Sequence, residues 1–285
     1  MRFPFIKAEK ANYPILALCR NLEVTRAGFY AWRRRLVSKR AQRDAAALVH
    51  IRAVHKRSRQ RYGSPRVHRQ LQEHGVAIGR HRVARLMRLD GLRGRMKRRF
   101  RVTTDSRHNL RVAPNLVARR FDVAHPNRVW LSDITYLATA EGWLYLSAVL
   151  DLHSRRLVGW SLDDHLEASG VCRALRQAIA ARRPRPGLIV HSDRGVQYAG
   201  NDYQRILRAH RLECSMSRKG DCWDNAPMES FFGSLKRELD QQKPWPTMRA
   251  AEDDIEQFIR FYNYERLHSA LDYRSPARYE MRPVS

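Results

Sequence analysis

Residues 129 to 161, VWLSDITYLATAEGWLYLSAVLDLHSRRLVGWS, are the stretch that decides the fold of this chain. Three β-rich runs lie within it, at 129–137, 143–150 and 157–161, and only short turns separate one run from the next. Apolar runs of this length with turn residues between them predict three consecutive antiparallel strands.

Helix and strand patterns alternate after these three strands. Val171, Leu175 and Ile179 recur every four residues and predict a helix over about 167–183, which ends at Pro184 because proline cannot continue it. The pattern continues with a strand at 188–191, a helix at about 201–211, a fifth strand at about 213–216, and helices at about 227–242 and 248–266. This order predicts a mixed α/β sheet with flanking helices.

The sequence before the strands is helical. Residues 12–36 predict two short helices, the second with Thr25 as its N-cap, in an arrangement that resembles a helix-turn-helix. Residues 44–92 predict three more helices, of which the second has Ser64 as its cap and the third begins near Arg80. A helical hairpin that makes no DNA contact is the alternative interpretation of the first segment.

Positive charge is concentrated in this helical part. The chain has 285 residues and a net charge of +27. Residues 1–120 hold 32 of the 55 Lys and Arg residues but only 6 of the 28 Asp and Glu residues. A basic surface of this size favours nucleic acid as the partner, with a membrane surface or plain solvation as the competing explanations.

The predicted helix at 80–92 offers candidate DNA contacts, because arginines lie outside its apolar stripe of Val83, Leu86 and Met87. A solvated helix in a basic protein is the alternative. The basic linker at 93–125 is expected to cross the DNA backbone. The candidate DNA-binding residues are Arg80, Arg82, Arg85 and Arg88 on the helix, and Arg98 and Arg99 in the linker.

Other classes of protein fit poorly. No apolar run approaches the roughly 18 residues of a membrane span, and the N-terminus lacks the apolar stretch of a secretory signal. We therefore expect no membrane association and a cytoplasmic location. The four cysteines form no CxxC pair, which argues against a zinc finger and against a disulfide framework.

The composition and these patterns divide the chain into five parts. The expected parts are an N-terminal helix-turn-helix-like segment at 1–43, a helical DNA-binding domain at 44–92, a basic linker at 93–125, a catalytic core at 126–243, and a C-terminal helix and tail at 244–285.

Three acidic residues are the candidates for chemistry. Asp133 lies inside the first predicted strand, where an unpaired carboxylate is costly to bury. Asp193 follows the strand at 188–191, at the end of an open sheet where ligands usually bind. Glu229 lies in the first turn of the helix opened by Pro227. His191 is more readily interpreted as a packed strand residue than as a metal ligand.

Carboxylates that meet at one end of a sheet suit Mg²⁺ or Mn²⁺, which prefer oxygen ligands. Two such ions activate a nucleophile and stabilise the leaving oxygen in phosphoryl transfer. We therefore predict that Asp133, Asp193 and Glu229 are both metal ligands and catalytic residues, holding a pair of Mg²⁺ or Mn²⁺ ions.

Four motifs give the chain a family resemblance. They are SDITYL at 132–137, HSDRGVQY at 191–198, CWDNAPMESFFGSLKRE at 222–238, and YNYERLHSALDYRSPARYE at 262–280. Together they resemble the retroviral-integrase-type DDE transposases, and in particular OrfB, the second-frame product of the IS-three group of bacterial insertion sequences. The resemblance extends over most of the chain, including the basic helical region.

The resemblance implies an RNase H-like core, with Asp133, Asp193 and Glu229 as the triad. It also implies a basic residue seven positions after the glutamate, here Lys236, which shares a helix face with Glu229 and can hold a DNA phosphate. Gly233 lies between them, and its missing side chain leaves room for DNA.

The implied activity is transposition, with the terminal inverted repeats and target DNA as substrates. Two element ends must meet, so we expect a homo-oligomer on DNA. The resemblance also implies a first-frame partner, OrfA, or an OrfAB fusion, that supplies a leucine zipper, since this chain has no sustained heptad. A DNA-binding regulator without catalysis and a nuclease of the same fold that cannot join ends are the alternative functions.

Overall fold

The computed structural model describes residues 2–35, 38–95, 112–218, 222–239 and 244–281. Six helices precede the sheet: α1 Arg2–Glu9, α2 Ile15–Asn21, α3 Arg26–Arg34, α4 Lys39–Arg57, α5 Ser64–Glu73 and α6 Arg80–Leu89. The strands are β1 Val129–Thr139, β2 Gly142–Asp151, β3 Leu157–Asp163, β4 Ile189–Ser192 and β5 Glu213–Met216. The later helices are α7 Ala168–Arg182, α8 Val196–Ala199, α9 Asn201–Ala209, α10 Ala226–Glu238, α11 Met248–Tyr264 and α12 Pro276–Glu280.

The five strands form one mixed sheet in the order β3-β2-β1-β4-β5. β1, β2 and β3 are antiparallel neighbours, while β4 is parallel to both β1 and β5. The predicted mixed sheet is confirmed. β1 pairs with β2 as far as Thr139 but with β4 only over Val129–Leu131. β1 and β4 therefore diverge beyond Leu131. This divergence leaves room for a helix beside the second half of β1.

Successive residues of a strand point to opposite faces of the sheet, and these strands have apolar residues on both faces. Helices therefore cover both faces. On one face, Leu131 and Leu137 of β1 belong to a buried cluster with Phe231 of α10 and Phe258 of α11. On the other face, Trp130 belongs to a second buried cluster, which includes residues of α7 and α9. The sheet is therefore buried on both sides, as its apolar strands require.

Close packing of α7 on the sheet depends on a glycine in β3. A Cβ atom added at Gly159 would overlap the carbonyl oxygen of Ala174. The helix therefore approaches the strand more closely than any larger residue allows, and this contact fixes the position of α7.

Two further apolar clusters lie outside the sheet. Ile6, Leu18 and Phe29 are buried together among α1, α2 and α3. The second cluster joins α4, α5 and α6 through Ile51, Val54, Val67, Leu71 and Val83, and it also includes Leu267, which follows α11. The C-terminal segment thus contributes to the core of the helical region.

The helix caps test the sequence predictions directly. Thr25 accepts a hydrogen bond from the backbone N–H of Gly28, which confirms it as the N-cap of α3. The prediction that Ser64 caps the next helix is wrong, because Gly63 occupies the cap position and Ser64 is the first helical residue. Gly94 packs against the backbone at Tyr62 and Gly63, where a Cβ atom at residue 94 would clash.

A buried ion pair fixes the end of α10. Glu238, its last residue, accepts hydrogen bonds from the guanidinium of Arg266, with the shortest at 2.7 Å, and both side chains are 2% exposed. Arg266 also donates to the hydroxyl of Ser234 at 3.2 Å. Because both charges are removed from water, each depends on the other for its solvation.

The helical region docks onto this ion pair. Arg61 donates from Nε to the backbone carbonyl of Glu238 at 3.3 Å, and Arg66 donates to the carbonyl of Leu267 at 2.9 Å. The hydroxyl of Tyr62 accepts from the backbone N–H of Leu267 at 2.9 Å. Polar contacts thus join α4 and α5 to the core beside the apolar contact of Leu267.

Within the described residues, no helix is both long enough and apolar enough to cross a membrane.

Replacing Glu238 with Gln leaves the Arg266 charge buried without its counter-ion, so we expect the free energy of unfolding to fall by about 3–5 kcal/mol. Urea denaturation measures the loss as a lower transition midpoint at unchanged slope. The matched control is Glu252→Gln, which removes a surface pair with Arg249, whose side chain is 80% exposed. Its cost should stay below about 1 kcal/mol, and equal losses in both variants would contradict the assignment.

His268 should make the fold sensitive to acid. Burial, followed by the charges of Arg266, Arg66 and Arg155, lowers its pKa from 6.5 to about 2. Below pH 6.5 the unfolded chain therefore binds a proton that the folded chain rejects, and stability falls as the pH falls. From pH 7.5 to 5, we expect the wild type to lose about 2 kcal/mol more than His268→Gln in parallel urea titrations. Identical losses would contradict this pKa.

Candidate active site

Asp133 lies on β1 where this strand diverges from β4. Its Oδ1 accepts a hydrogen bond from the backbone N–H of Ile134 at 2.8 Å. Burial raises its pKa well above the ordinary value, and the negative charges of Asp193 and Glu229 raise it further. The second effect requires that the other two carboxylates lie close to it.

Asp193 directly follows β4, the parallel neighbour of β1. Its Oδ1 accepts from the backbone N–H of Gly195 at 2.8 Å, which orients the carboxylate. A Cβ atom at residue 195 would lie only 2.9 Å from that oxygen, so glycine permits this tight turn. The carboxyl end of β4 thus presents Asp193 toward Asp133.

Glu229 lies on the first turn of α10. Burial raises its pKa as well. The three predicted residues therefore come together from a strand, a loop after a strand, and a helix. Among the described residues, no three Asp, Glu, His or Cys side chains already form a cluster that could hold a metal ion, so the carboxylates are neighbours without a preformed cage.

Tyr198 is a buried wall of this site. Its pKa is raised well above the ordinary value by burial and by the charges of Asp133 and Asp193. Its hydroxyl lies 3.5 Å from Oγ of Ser132, the residue before Asp133. The phenol therefore stays protonated beside the carboxylates.

Asn225 is a site residue that the sequence reasoning missed. It immediately precedes α10, is 6% exposed, and its amide acts to lower the pKa of Asp133. Neither amide atom has a hydrogen-bond partner within the described residues, although both are buried. An unsatisfied buried amide is unusual, and here it lies beside the carboxylates. The dipeptide Asp-Asn before Ala-Pro was the only signal for it.

Lys236 lies near the same site. Its Nζ is 4.8 Å from the centre of the Tyr136 ring, and burial lowers its pKa while the charge of Asp133 opposes this shift. A Cβ added at Gly233 would meet nothing within 4 Å, so the surface between Glu229 and Lys236 is open. A basic group and an open helix face thus border the carboxylates.

His191 is a packed strand residue, as predicted. It is fully buried, and its ring nitrogens lie 2.8 Å and 3.2 Å from the hydroxyls of Ser215 and Ser217. Burial lowers its pKa to about 4. Asp224 is also buried, and its carboxylate accepts from the amide of Asn115 at 2.7 Å.

The predicted DNA-binding residues fall into three groups. Arg80 and Arg88 are exposed on α6. Arg82 and Arg85 each donate to the carboxylate of Asp44 on α4, at 2.7 Å and 2.6 Å, and remain partly exposed. Asp44 therefore balances part of their charge. The remaining two, Arg98 and Arg99, lie outside the described residues.

Family models match three parts of the chain. Two models described as integrase core domain match residues 123–222 and 210–276. A model described as HTH-like domain matches residues 41–100.

Curated relatives match along nearly the whole length. The chain is 43% identical over 263 residues to the insertion element IS600 uncharacterized 31 kDa protein of Shigella sonnei, covering 92% of this chain and 97% of the relative. It is 40% identical over 283 residues to transposase InsF for insertion sequence IS3A of Escherichia coli (strain K12), covering 98% of both.

A solved structure shares the fold. The simian T-cell lymphotropic virus intasome, determined by cryo-EM in complex with PP2A regulatory subunit B56 gamma, contains a chain that matches with a TM-score of 0.50 at 14% identity. The match covers 81% of this chain and 74% of that one. The mixed sheet with its flanking helices is thus an RNase H-like integrase core, preceded by a helical region.

Proposed function

The chain belongs to the IS3-family transposases with an integrase core, and we propose that its three carboxylates catalyse DNA strand cleavage and 3′-OH strand transfer with bound divalent metal ions. One observation supports this most directly: the charges of Asp193 and Glu229 both raise the pKa of Asp133. Separate elements bring these acids together, and such an arrangement is costly unless a cation shares them.

The donor set fits Mg²⁺ or Mn²⁺. Asp133, Asp193 and Glu229 offer only oxygen ligands, which these ions prefer. The buried and unsatisfied amide of Asn225 offers a further oxygen beside them. When bound, a pair of such ions activates the attacking oxygen and stabilises the leaving oxygen. We therefore propose two ions held by these three carboxylates.

The proposed reaction has two phosphoryl transfers at the same site. Water first attacks a phosphodiester at the end of the element and releases a 3′-OH. That hydroxyl then attacks a phosphodiester of the target DNA, so one bond forms as another breaks and no covalent enzyme intermediate is needed. Lys236, beside the open helix surface at Gly233, would hold a phosphate of the element end.

DNA binding extends to the helical region in this proposal. Arg80 and Arg88 of α6 are exposed and available to phosphates or to a groove, while Arg82 and Arg85 contribute the part of their charge that Asp44 leaves unbalanced. Arg98 and Arg99 of the linker complete the candidate set. The terminal inverted repeats and the target are the DNA substrates, and the bacterial nucleoid is the place of action.

The five-part division at 1–43, 44–92, 93–125, 126–243 and 244–285 stands as part of this proposal. Separate apolar clusters in α1–α3 and in α4–α6 support the first two parts.

The two alternative functions receive less support. A regulator that only binds DNA has no use for three carboxylates held together at a physical cost. A nuclease of the same fold would use the same residues but would release its product after hydrolysis. An end-joining assay therefore separates the nuclease from the transposase.

We expect Asp133→Asn to abolish both cleavage and joining of DNA ends in Mg²⁺, because the substitution removes a charged ligand from the site. DNA binding should change less than about twofold, since the helical region supplies most of the contacts. Asp202→Asn is the control, because the Asp202 side chain is 68% exposed on α9, and it should retain full activity. Joining activity retained by Asp133→Asn would reject the assignment.

We further propose a homo-oligomer on DNA and a first-frame partner, OrfA or an OrfAB fusion. Transposition requires two element ends together, and no sustained heptad in this sequence provides a coiled-coil dimer. We expect this chain alone to support little transposition of a marked element in cells, and co-expression of the upstream-frame product to restore it. Full transposition by this chain alone would contradict the partner.

A further inference from the structure

A basic cleft lies between the end of α4 and the middle of α11. Four arginines line it, Arg57, Arg59, Arg61 and Arg260, and Glu265 is the acidic residue of its lining. The cleft is separate from the triad, and it lies where the helical region meets the core.

Arg61 is a built-in component of this cleft. The residue is 6% exposed, and its guanidinium lies over the rings of Phe258 and Phe261, at 5.4 Å and 4.8 Å from their centres. Burial lowers its pKa, and the positive charges of Arg59 and Arg95 lower it further, while Glu238 and Asp254 oppose the shift. A buried guanidinium held among like charges has a deficit of negative charge.

Arg59 reaches the cleft through an unusual backbone. Arg59 and Gln60 have φ angles of 50° and 62°, in the left-handed region that residues other than glycine rarely adopt. This turn ends α4 and directs the guanidinium of Arg59 across to α11, where it donates to Oε1 of Gln257 at 2.8 Å. Backbone strain of this kind is often retained at binding sites.

Carboxylates do not neutralise the cleft. Within the described parts of the chain, none of its four arginines lies within 4.0 Å of a carboxylate oxygen. Asp254 of α11, whose charge acts on Arg61, accepts from the indole of Trp245 at 3.0 Å. Glu238 pairs with Arg266 at 2.7 Å and with Arg66 at 3.9 Å. The cleft therefore has a net positive charge available to an anion.

We propose that this cleft binds a backbone phosphate of the DNA on which the chain acts, an inference that rests on the proposed function. A guanidinium pair suits a phosphate because each guanidinium offers parallel N–H donors to two oxygens. The buried Arg61 fixes the position of the phosphate, and the exposed Arg59 and Arg260 close around it.

The position of the cleft connects it to the catalytic helix. Arg61 donates to the carbonyl of Glu238, nine residues after Glu229 on α10. A duplex that contacts both ends of this helix would place one backbone phosphate at the triad and another at the cleft.

The test uses the full chain with Arg59 and Arg260 both replaced by Gln. The control is Arg208→Gln, an exposed arginine on α9, which covers the opposite face of the sheet. Binding to a duplex of about 30 base pairs with the element end is measured across a salt series. We expect the double variant to lower the slope of log affinity against log salt by about 1, and the control to leave it unchanged.

A second measurement locates the phosphate. Duplexes with a single neutral methylphosphonate at successive positions are bound to the wild type and to the double variant. We expect the methylphosphonate at one position away from the cleaved bond to weaken binding by the wild type, and the same substitution to cause no further loss of binding in the double variant. Arg260→Lys retains the positive charge, so it should lose affinity at the same methylphosphonate position as the wild type.

Three results would overturn the inference: an unchanged salt slope, the same slope change in Arg208→Gln, or a methylphosphonate profile that both proteins share. These results leave the proposed function untouched if the wild type still cleaves and joins the duplex in Mg²⁺. Failure of the wild type to cleave or join it, with the cleft variants still defective in binding, rejects the proposed function and retains a DNA-binding cleft.

Discussion

The burial of one carboxylate beside two others is the constraint on which the rest of this structure depends. Burial disfavours ionisation of Asp133 and of Glu229, and the charges of Asp193 and Glu229 disfavour that of Asp133 further. Such an arrangement persists only if rigid elements hold each side chain in place. The divergence of β1 from β4 provides the space, the turn at Gly195 provides the second carboxylate, and α10 provides the third.

α10 unites the functions of the molecule along a single helix. Its first turn bears Glu229, its last turn bears Lys236, and its last residue, Glu238, forms the buried pair with Arg266. The helical region contacts the far end of α10 through Arg61 and Arg66.

Much of this was predictable from the sequence. Continuous apolar runs indicated the strands, because the sheet is buried on both faces, and apolar residues recurring every four positions indicated the helices, because each has one apolar side. The acids could be chosen from the sequence because a carboxylate inside an apolar strand needs a reason to be there. Their approach to one another was inferred from topology alone, and the charge effects on Asp133 now support it.

What the sequence could not provide depends on contacts between distant residues. Gly94 packs so closely against the backbone of Gly63, 31 residues away, that a side chain at residue 94 would clash. Asp44 balances Arg82 and Arg85 only because α4 and α6 cross, and no local pattern reports this. The buried amide of Asn225 is visible only once β1 and α10 are in place.

Leu267 has a wider consequence for how such proteins diversify. This residue of the C-terminal segment is buried in the apolar core of α4–α6. The helical region and the C-terminal segment therefore share one core. If the helical region were exchanged between relatives without residues 261–273, its core would have a cavity or a clash at the position of Leu267. Recognition of new DNA ends therefore evolves under a joint constraint from two distant stretches of one gene, and chimaeras with a single crossover near the linker should be poorly folded.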